Sequence, residues 1–337
     1  MLSVVNSRHR HATIAVANMR AASLTVEDRL SYLKTRQLAP PRRMTGDERR
    51  LMNPNHGLIK LGERYADIFI SRFVYPLIGR IWNPYSWLLE RRFSLAQTAL
   101  SPAGWPKTAA PMRVLLITDI HAGIFLRPDT LWRIVSDLMK MKPDLVIVGG
   151  DLVTGHVSEA TRYLDILAVL SAAPLGAWFC FGNHDYFGGD PDELRDNLAA
   201  VGIQTLKNQT AILKHRGASI ILGGIDDRLL GRPDWQKLTS SHGAPHLLMA
   251  HNPDYFYEAE GHGVPLTLSG HTHGGQIRFP NGPALIRQSR YCLDEGVYAY
   301  RSSLLLVSRG LGSIVLPFRW GADPEAVLME IAAPTGP

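Results

Sequence analysis

Short apolar runs alternate with helical spacing over the last two thirds of the chain. Val114–Ile117, Leu145–Val148 and Trp178–Phe181 are continuous apolar runs, the pattern of strands buried on both faces. Between the first two, Leu131, Ile134, Val135 and Leu138 recur at the spacing of one helix face, with Asp129 or Thr130 placed to cap its start. Tyr163–Leu170 and Glu193–Val201 predict two more helices. Further strand-like runs stand at Ile220–Leu222, Leu247–Met249, Leu266–Leu268, Leu304–Val307 and Val327–Ile331. Several have no long helix between them, which predicts an α/β body with more than one sheet over residues 112–332, followed by a tail at 333–337.

The first third reads differently. Residues 1–56 are polar and irregular, with Arg42, Arg43, Arg49 and Arg50 clustered around Pro40-Pro41, and are expected to form a flexible basic arm. Residues 57–100 are apolar and aromatic, but Arg72, Pro76, Arg80 and Pro84 interrupt them. A membrane-spanning helix needs about 20 mostly apolar residues with few charges, so the segment reads as amphipathic helices instead. Aromatic residues beside arginines suit a membrane interface; the same face would equally serve to pack on the body. Pro102, Gly104, Pro106 and Pro111 mark residues 101–111 as a linker.

Charge sharpens this division. Residues 1–110 hold 17 Lys+Arg against 7 Asp+Glu, a net of +10, whereas residues 111–337 hold 19 against 23, a net of −4. A basic appendage on an acidic body points to an anionic partner such as a membrane surface or nucleic acid, or else to a solvated helical face. No secretory signal and no clear transmembrane helix is seen, so the expected location is the cytoplasm, with a peripheral seat on the inner face of the membrane through residues 1–100. No obligate protein partner is evident. Two cysteines, Cys180 and Cys292, exclude a disulfide framework and a four-cysteine zinc site.

The candidate chemistry follows the apolar runs. Asp119-Ile120-His121, Gly150-Asp151, Gly182-Asn183-His184-Asp185, His251 and Gly270-His271-Thr272-His273 each come directly after a predicted strand. Ligands of open α/β sheets bind beyond the carboxyl ends of the strands, so loops distant in sequence can meet in one place. Hard carboxylate and amide oxygens mixed with imidazole nitrogens suit two divalent ions such as Mn²⁺, Fe²⁺ or Zn²⁺. A two-metal site holds its ions roughly 3.5–4 Å apart and clamps a phosphoryl group undergoing displacement.

The ordered set resembles the calcineurin-like metallophosphoesterases over about residues 112–332. The resemblance implies a four-layer αββα sandwich of two mixed sheets flanked by helices, here with a basic, largely helical N-terminal extension. It implies that Asp119, His121 and His273 hold one ion, that Asn183, His251 and His271 hold the other, and that Asp151 bridges them. A metal-bridging hydroxide would attack phosphorus, and His184 would protonate the leaving oxygen, with Asp185 orienting its imidazole. His156, Asn183 and Gly274 are the expected substrate contacts. Many relatives carry a second acid where this chain has Thr154, which puts the surroundings of the bridge in question. Gly182–Tyr186, Gly270–Gln276 and the tail with Ser308–Gly312, Pro317-Phe318-Arg319 and Pro324-Glu325 are similar to the bacterial YkuE/YaeI-type phosphodiesterases. That narrower resemblance implies phosphodiester or pyrophosphate hydrolysis on a membrane-associated or lipid-linked substrate such as UDP-2,3-diacylglucosamine. The competing readings are a membrane- or nucleic-acid-binding module with a vestigial metal site, and a nuclease.

Overall fold

The computed structural model describes residues 30–40, 69, 84–123, 125–187, 190–279, 284 and 287–334. The arginine cluster at 42–50 and most of the apolar stretch at 57–83 lie outside the described residues, so the arm and much of the extension expected there are not assessed.

Two seven-stranded sheets face each other. The first runs β1 (Leu30–Tyr32), β3 (Ser94–Leu100), β14 (Glu325–Ile331), β4 (Met112–Ile117), β5 (Leu145–Val148), β6 (Ala177–Phe179) and β7 (Ile203–Thr205). The second runs β2 (Thr35–Gln37), β12 (Gly296–Tyr300), β13 (Ser303–Val307), β11 (Leu266–Ser269), β10 (Leu247–Met249), β9 (Ala218–Gly224) and β8 (Gln209–His215). Both are mixed. The run β4 to β7 is parallel while β14 lies antiparallel to β4. In the second sheet β9, β10, β11 and β13 are parallel, β8 is antiparallel to β9, and β12 is antiparallel to β13 but parallel to β2.

The period of two along each strand divides its side chains between two cores. On β4, Val114 and Leu116 enter the core between the sheets, where they meet Leu222, Met249, Leu268 and Leu306. Leu115 and Ile117 turn outward to the helices. Those helices are α1 (Pro84–Arg92), α2 (Pro128–Lys140), α3 (Leu164–Ala168) and α4 (Pro191–Ala200). Helix α2 buries the predicted stripe of Leu131, Ile134, Val135 and Leu138. It starts two or three residues earlier than the sequence suggests, because Pro128 takes the first helical position and Arg127 precedes it with extended backbone. The outer face of the second sheet is covered by α5 (Trp235–Thr239) and α6 (Phe256–Gly261), where Leu238, Leu248, Tyr255 and Ala259 pack together. The architecture is helix, sheet, sheet, helix, as the resemblance implies. Cys180 lies in the core between the sheets as a small apolar side chain, and burial drives its thiol pKa well up.

The described part of the N-terminal third is built into this body. Residues 94–100, grouped by the sequence with the helical extension, form strand β3, paired with β14 on one side and β1 on the other. Tyr85, Leu88, Leu89 and Phe93 are buried in the same core as α2. Trp105 and Ala109, inside the expected linker, are buried between the sheets, so residues 101–111 are a packed connection. No helix among the described residues is long and apolar enough to cross a membrane.

Candidate metal centre

Five loops leave the carboxyl ends of parallel strands on the same side of the molecule. Asp119 and His121 follow β4, Asp151 follows β5, Asn183 and His184 follow β6, His251 follows β10, and His271 and His273 follow β11. The backbone stitches these loops together: Asp119 N donates to Gly150 O at 3.0 Å, His121 N to Asp151 O at 3.1 Å and Gly270 N to His251 O at 3.0 Å. Asp119, His121, Asp151, His271 and His273 all have positive φ, between 45° and 72°. Asp and His enter this left-handed region more readily than most residues, yet five at one site is strain held by the surrounding structure. Gly182 and Gly270 are required for the approach, because a β-carbon at either would collide with the carboxylate of Asp151 or of Asp119 respectively.

The side chains converge into three overlapping buried groups. They are Asp119 with His121 and His273, His121 with Asp151 and His184, and Asp151 with His251 and His271, each with its ligand atoms within 4.8 Å of one another. Nε2 of His121 and Nε2 of His273 face each other at 3.1 Å, and Asp119 Oδ1 lies 3.6 Å from the latter. Asp151 Oδ2 lies 3.9 Å from His121 Nε2 and 3.0 Å from His251 Nε2. His121 Nδ1 and Asn183 Oδ1 are buried without a hydrogen-bond partner. Buried polar atoms are ordinarily paired, so unsatisfied nitrogen and oxygen beside opposed imidazoles fit a divalent cation.

Electrostatics express the same crowding. Burial, reinforced by the charge of Asp151, pushes Asp119 up to about 6, although His251 opposes this. His121 and His273 are held well below the usual histidine range, first by burial and then by neighbouring cationic groups. His251 goes the other way. Burial lowers it, but Asp151 and Asp119 together outweigh that and raise it to about 10. Its Nδ1 donates to Gly149 O at 2.8 Å, which leaves Nε2 toward the two carboxylates.

Several expected roles change. Asp185 does not orient His184. Its Oδ2 accepts from Gly182 N at 2.8 Å and Asp151 N at 3.0 Å, and its Oδ1 accepts from Leu152 N at 2.8 Å and Val153 N at 3.2 Å. It therefore pins the loop that carries Asp151. The imidazole of His184 is oriented by the Thr154 carbonyl, 2.7 Å from Nδ1. Thr154, noted for lacking a carboxylate, thus serves through its backbone. His156 is exposed and is not brought into the cluster: its Nδ1 accepts from Ser158 N at 3.1 Å and caps the short helix Val157–Tyr163. Gly274 faces Arg309 and Ala322, where a β-carbon would meet Arg309 Cγ at 2.8 Å, so its small size serves packing.

Other contributors carried little or no local signal. Asp226 and Asp227 follow the apolar run of β9, and that position was a usable clue; Asp226 accepts from the Tyr186 hydroxyl, and both aspartates are buried. Tyr85 gave none, and Arg319 stood out only as part of the Pro317-Phe318-Arg319 stretch of the narrower resemblance.

This fold and this cluster define a metal-dependent hydrolase. Residues 112–275 match the family model described as calcineurin-like phosphoesterase. The chain is 30% identical over 251 residues to the uncharacterised metallophosphoesterase YkuE of Bacillus subtilis, covering 72% of this chain and 86% of that protein. It is 32% identical over 230 residues to the phosphodiesterase YaeI of Escherichia coli, covering 66% and 83%. Among solved structures, a dimetal phosphatase from Danio rerio aligns at 14% identity with a TM-score of 0.38, covering 63% of this chain and 88% of that one. The chain belongs to the calcineurin-like phosphoesterase family, and its activity is metal-dependent hydrolysis of phosphoester bonds.

Proposed function

We propose that the protein is a two-metal phosphodiesterase that cleaves a phosphodiester or pyrophosphate bond. Asp119, His121 and His273 hold one divalent ion, Asn183, His251 and His271 hold the other, and Asp151 serves both. The observation that carries this reading is the overlap of the three buried groups, in which Asp151 belongs to two of them. Mn²⁺, Fe²⁺ and Zn²⁺ all suit the mixed oxygen and nitrogen donors. When bound, the ions supply the acidified water and the positive charge that displacement at phosphorus needs.

His184 is the general acid. With Nδ1 against the Thr154 carbonyl, the transferable proton stands on Nε2. The ring is held edge-on to His121 at 4.7 Å and to Phe187 at 4.6 Å, and the backbone N of His184 donates to Asp151 Oδ1 at 2.8 Å. The acid is thereby tied in position to the carboxylate shared by the ions.

The substrate is lipid-linked. An apolar rim adjoins the metal-binding loop, with Phe279 56%, Leu316 45%, Phe318 44% and Trp320 42% exposed. It is fastened to that loop by Gln276 Nε2 donating to Ile314 O at 2.9 Å and by Arg278 N donating to Trp320 O at 2.8 Å. Exposed apolar groups beside an anion-processing centre match a molecule with acyl chains and a pyrophosphate, as in UDP-2,3-diacylglucosamine.

The test is hydrolysis by the purified protein with Mn²⁺ of a chromogenic phosphodiester, a chromogenic monoester and UDP-2,3-diacylglucosamine. The diester and the lipid-linked pyrophosphate should be cleaved in preference to the monoester, and Asp151→Asn should abolish turnover. Near-normal turnover by Asp151→Asn would remove the shared-carboxylate role. Equal cleavage of lipid-linked and water-soluble pyrophosphates would remove the lipid reading.

A further inference from the structure

Arg319 is the largest fully buried side chain of the described residues. It makes no ion pair among them, so backbone carbonyls and one imidazole answer its charge. Nε donates to Gly312 O at 2.8 Å and Nη2 to the same oxygen at 2.5 Å. Nη1 donates to Arg309 O at 2.9 Å, with Ala322 O at 3.3 Å and His273 O at 3.4 Å. Nη2 also lies 2.9 Å from His273 Nδ1. A guanidinium has only donors, so His273 Nδ1 is the acceptor; an ion at Nε2, which is turned to His121, would take the place of the ring's remaining proton and leave an imidazolate paired with the guanidinium.

These bonds reach every residue of one metal group. His273 is held directly. Asp119 and His121 are held through Gly312, whose N donates to Asp119 O at 2.5 Å and whose α-carbon packs so closely that a β-carbon would meet His121 Cβ at 2.7 Å. Among the described residues Arg319 makes no hydrogen bond to Asp151, Asn183 or His251. Behind it stands Tyr85, whose hydroxyl feels the charge of the guanidinium and donates to Leu311 O, next to the Gly312 that Arg319 binds. Tyr85 stands on α1, so the N-terminal helix is joined to the centre through a buried chain of polar contacts.

Burying a charge without a counter-charge is costly unless every donor is satisfied. An apolar side chain of similar volume would fill the same space without that cost. It could not donate to His273 Nδ1 while gathering the carbonyls of three loop segments. We infer that Arg319 is a positioning residue for the first metal ion: it fixes the His273 ring and the Asp119–His121 loop in ligand geometry, with Tyr85 holding it from behind. This rests on the two-metal reading above. Supporting groups around a metal typically change its affinity by about 10- to 100-fold.

The experiment uses the full chain, stripped and reloaded with Mn²⁺. Stepwise affinities are read by competition with a chelating dye, and the magnetic coupling of the ion pair by EPR, for wild type, Arg319→Lys, Arg319→Met and Tyr85→Phe. Circular dichroism reports folding. The Arg319 variants should keep one ion at wild-type affinity and bind the other about 10- to 100-fold more weakly, so that at one equivalent per site the coupled signal gives way to that of isolated Mn²⁺. Tyr85→Phe should shift the same ion in the same direction by a smaller factor. Wild-type affinity for both ions in the Arg319 variants overturns the inference. So does equal weakening of both, which is the mark of a general loop staple. If the Arg319 variants do not fold, Tyr85→Phe decides, and unchanged affinities there overturn it. A wild type that binds no pair of ions overturns the two-metal reading together with this one.

Discussion

The pairing of His251 with Asp151 makes a quantitative demand on the metal-free protein. His251 is raised to about 10 in the folded chain, against an ordinary value near 6.5 when unfolded. A group whose folded pKa is raised stabilises the fold fully below its unfolded pKa, and that stabilisation is lost as pH rises through the folded pKa. Between those values the folded state holds one proton more than the unfolded state. One excess proton corresponds to a loss of about 1.4 kcal/mol of stability per pH unit. The imidazolium is fully buried, with Gly149 O at 2.8 Å from Nδ1 and Asp151 Oδ2 at 3.0 Å from Nε2, so solvent screening does not reduce this slope.

The useful window is pH 7.5 to 8.5. Below it, Asp185 contributes, since burial and the charge of Asp151 raise it to about 7. Above it, the unfolded thiols begin to ionise while Cys180, driven up by burial, does not. Urea unfolding of the chelated protein across that window should show stability falling by about 1.4 kcal/mol. His251→Gln should flatten the dependence. With saturating Mn²⁺ the slope should flatten, because the ion takes the place of the proton on His251 and the folded state then holds no excess proton over the unfolded one. A flat or rising profile in chelator, or an unchanged slope in His251→Gln, would refute the ion-pair account.

Three further outcomes separate roles that the structure has reassigned. Asp185→Asn must turn an amide NH₂ toward two of the four backbone N–H groups that the carboxylate now accepts, so metal affinity should fall along with turnover; a loss confined to kcat would return the residue to the side of His184. His184→Asn should lower kcat by about 10²- to 10⁴-fold with both ions retained, as metal analysis would show, and loss of an ion would make His184 a ligand. His156→Ala should cost about 1 kcal/mol of stability as a lost helix cap and leave KM unchanged, whereas a raised KM would make it a substrate contact after all.

The ligand set was legible because each member follows a strand, and the ends of parallel strands in two facing sheets must converge. The local pattern of an apolar run followed by Asp, Asn or His therefore carried tertiary information at Asp119, Asp151, Asn183, His251 and His271. What a side chain does once there was less legible. Asp185 sits next to His184 in sequence, yet its carboxylate turns back to the loop after β5, because four convergent N–H groups compete better for it than one imidazole. The same limit hid β3. Ser94–Leu100 is a strand only because β14, from the far end of the chain, and β1, from the near end, flank it.

That pairing also alters the meaning of the basic N-terminal third. Its charge reads in sequence as an appendage for an anionic partner, separate from the chemistry. Among the described residues, two of those cations face the body itself. Arg92 Nε pairs with Asp323 Oδ1 at 3.1 Å, and Arg36 Nη1 donates to Glu295 O and the Tyr298 hydroxyl, each at 3.3 Å. Glu295 in turn receives Arg309 Nη1 at 3.2 Å, and the backbone carbonyl of Arg309 is one of the acceptors gathered by Arg319. Part of the +10 excess is thus matched within the molecule, along a path that ends behind the metal centre. A sequence-level charge count overstates what an external anion can see whenever the basic segment contributes strands to the acidic one.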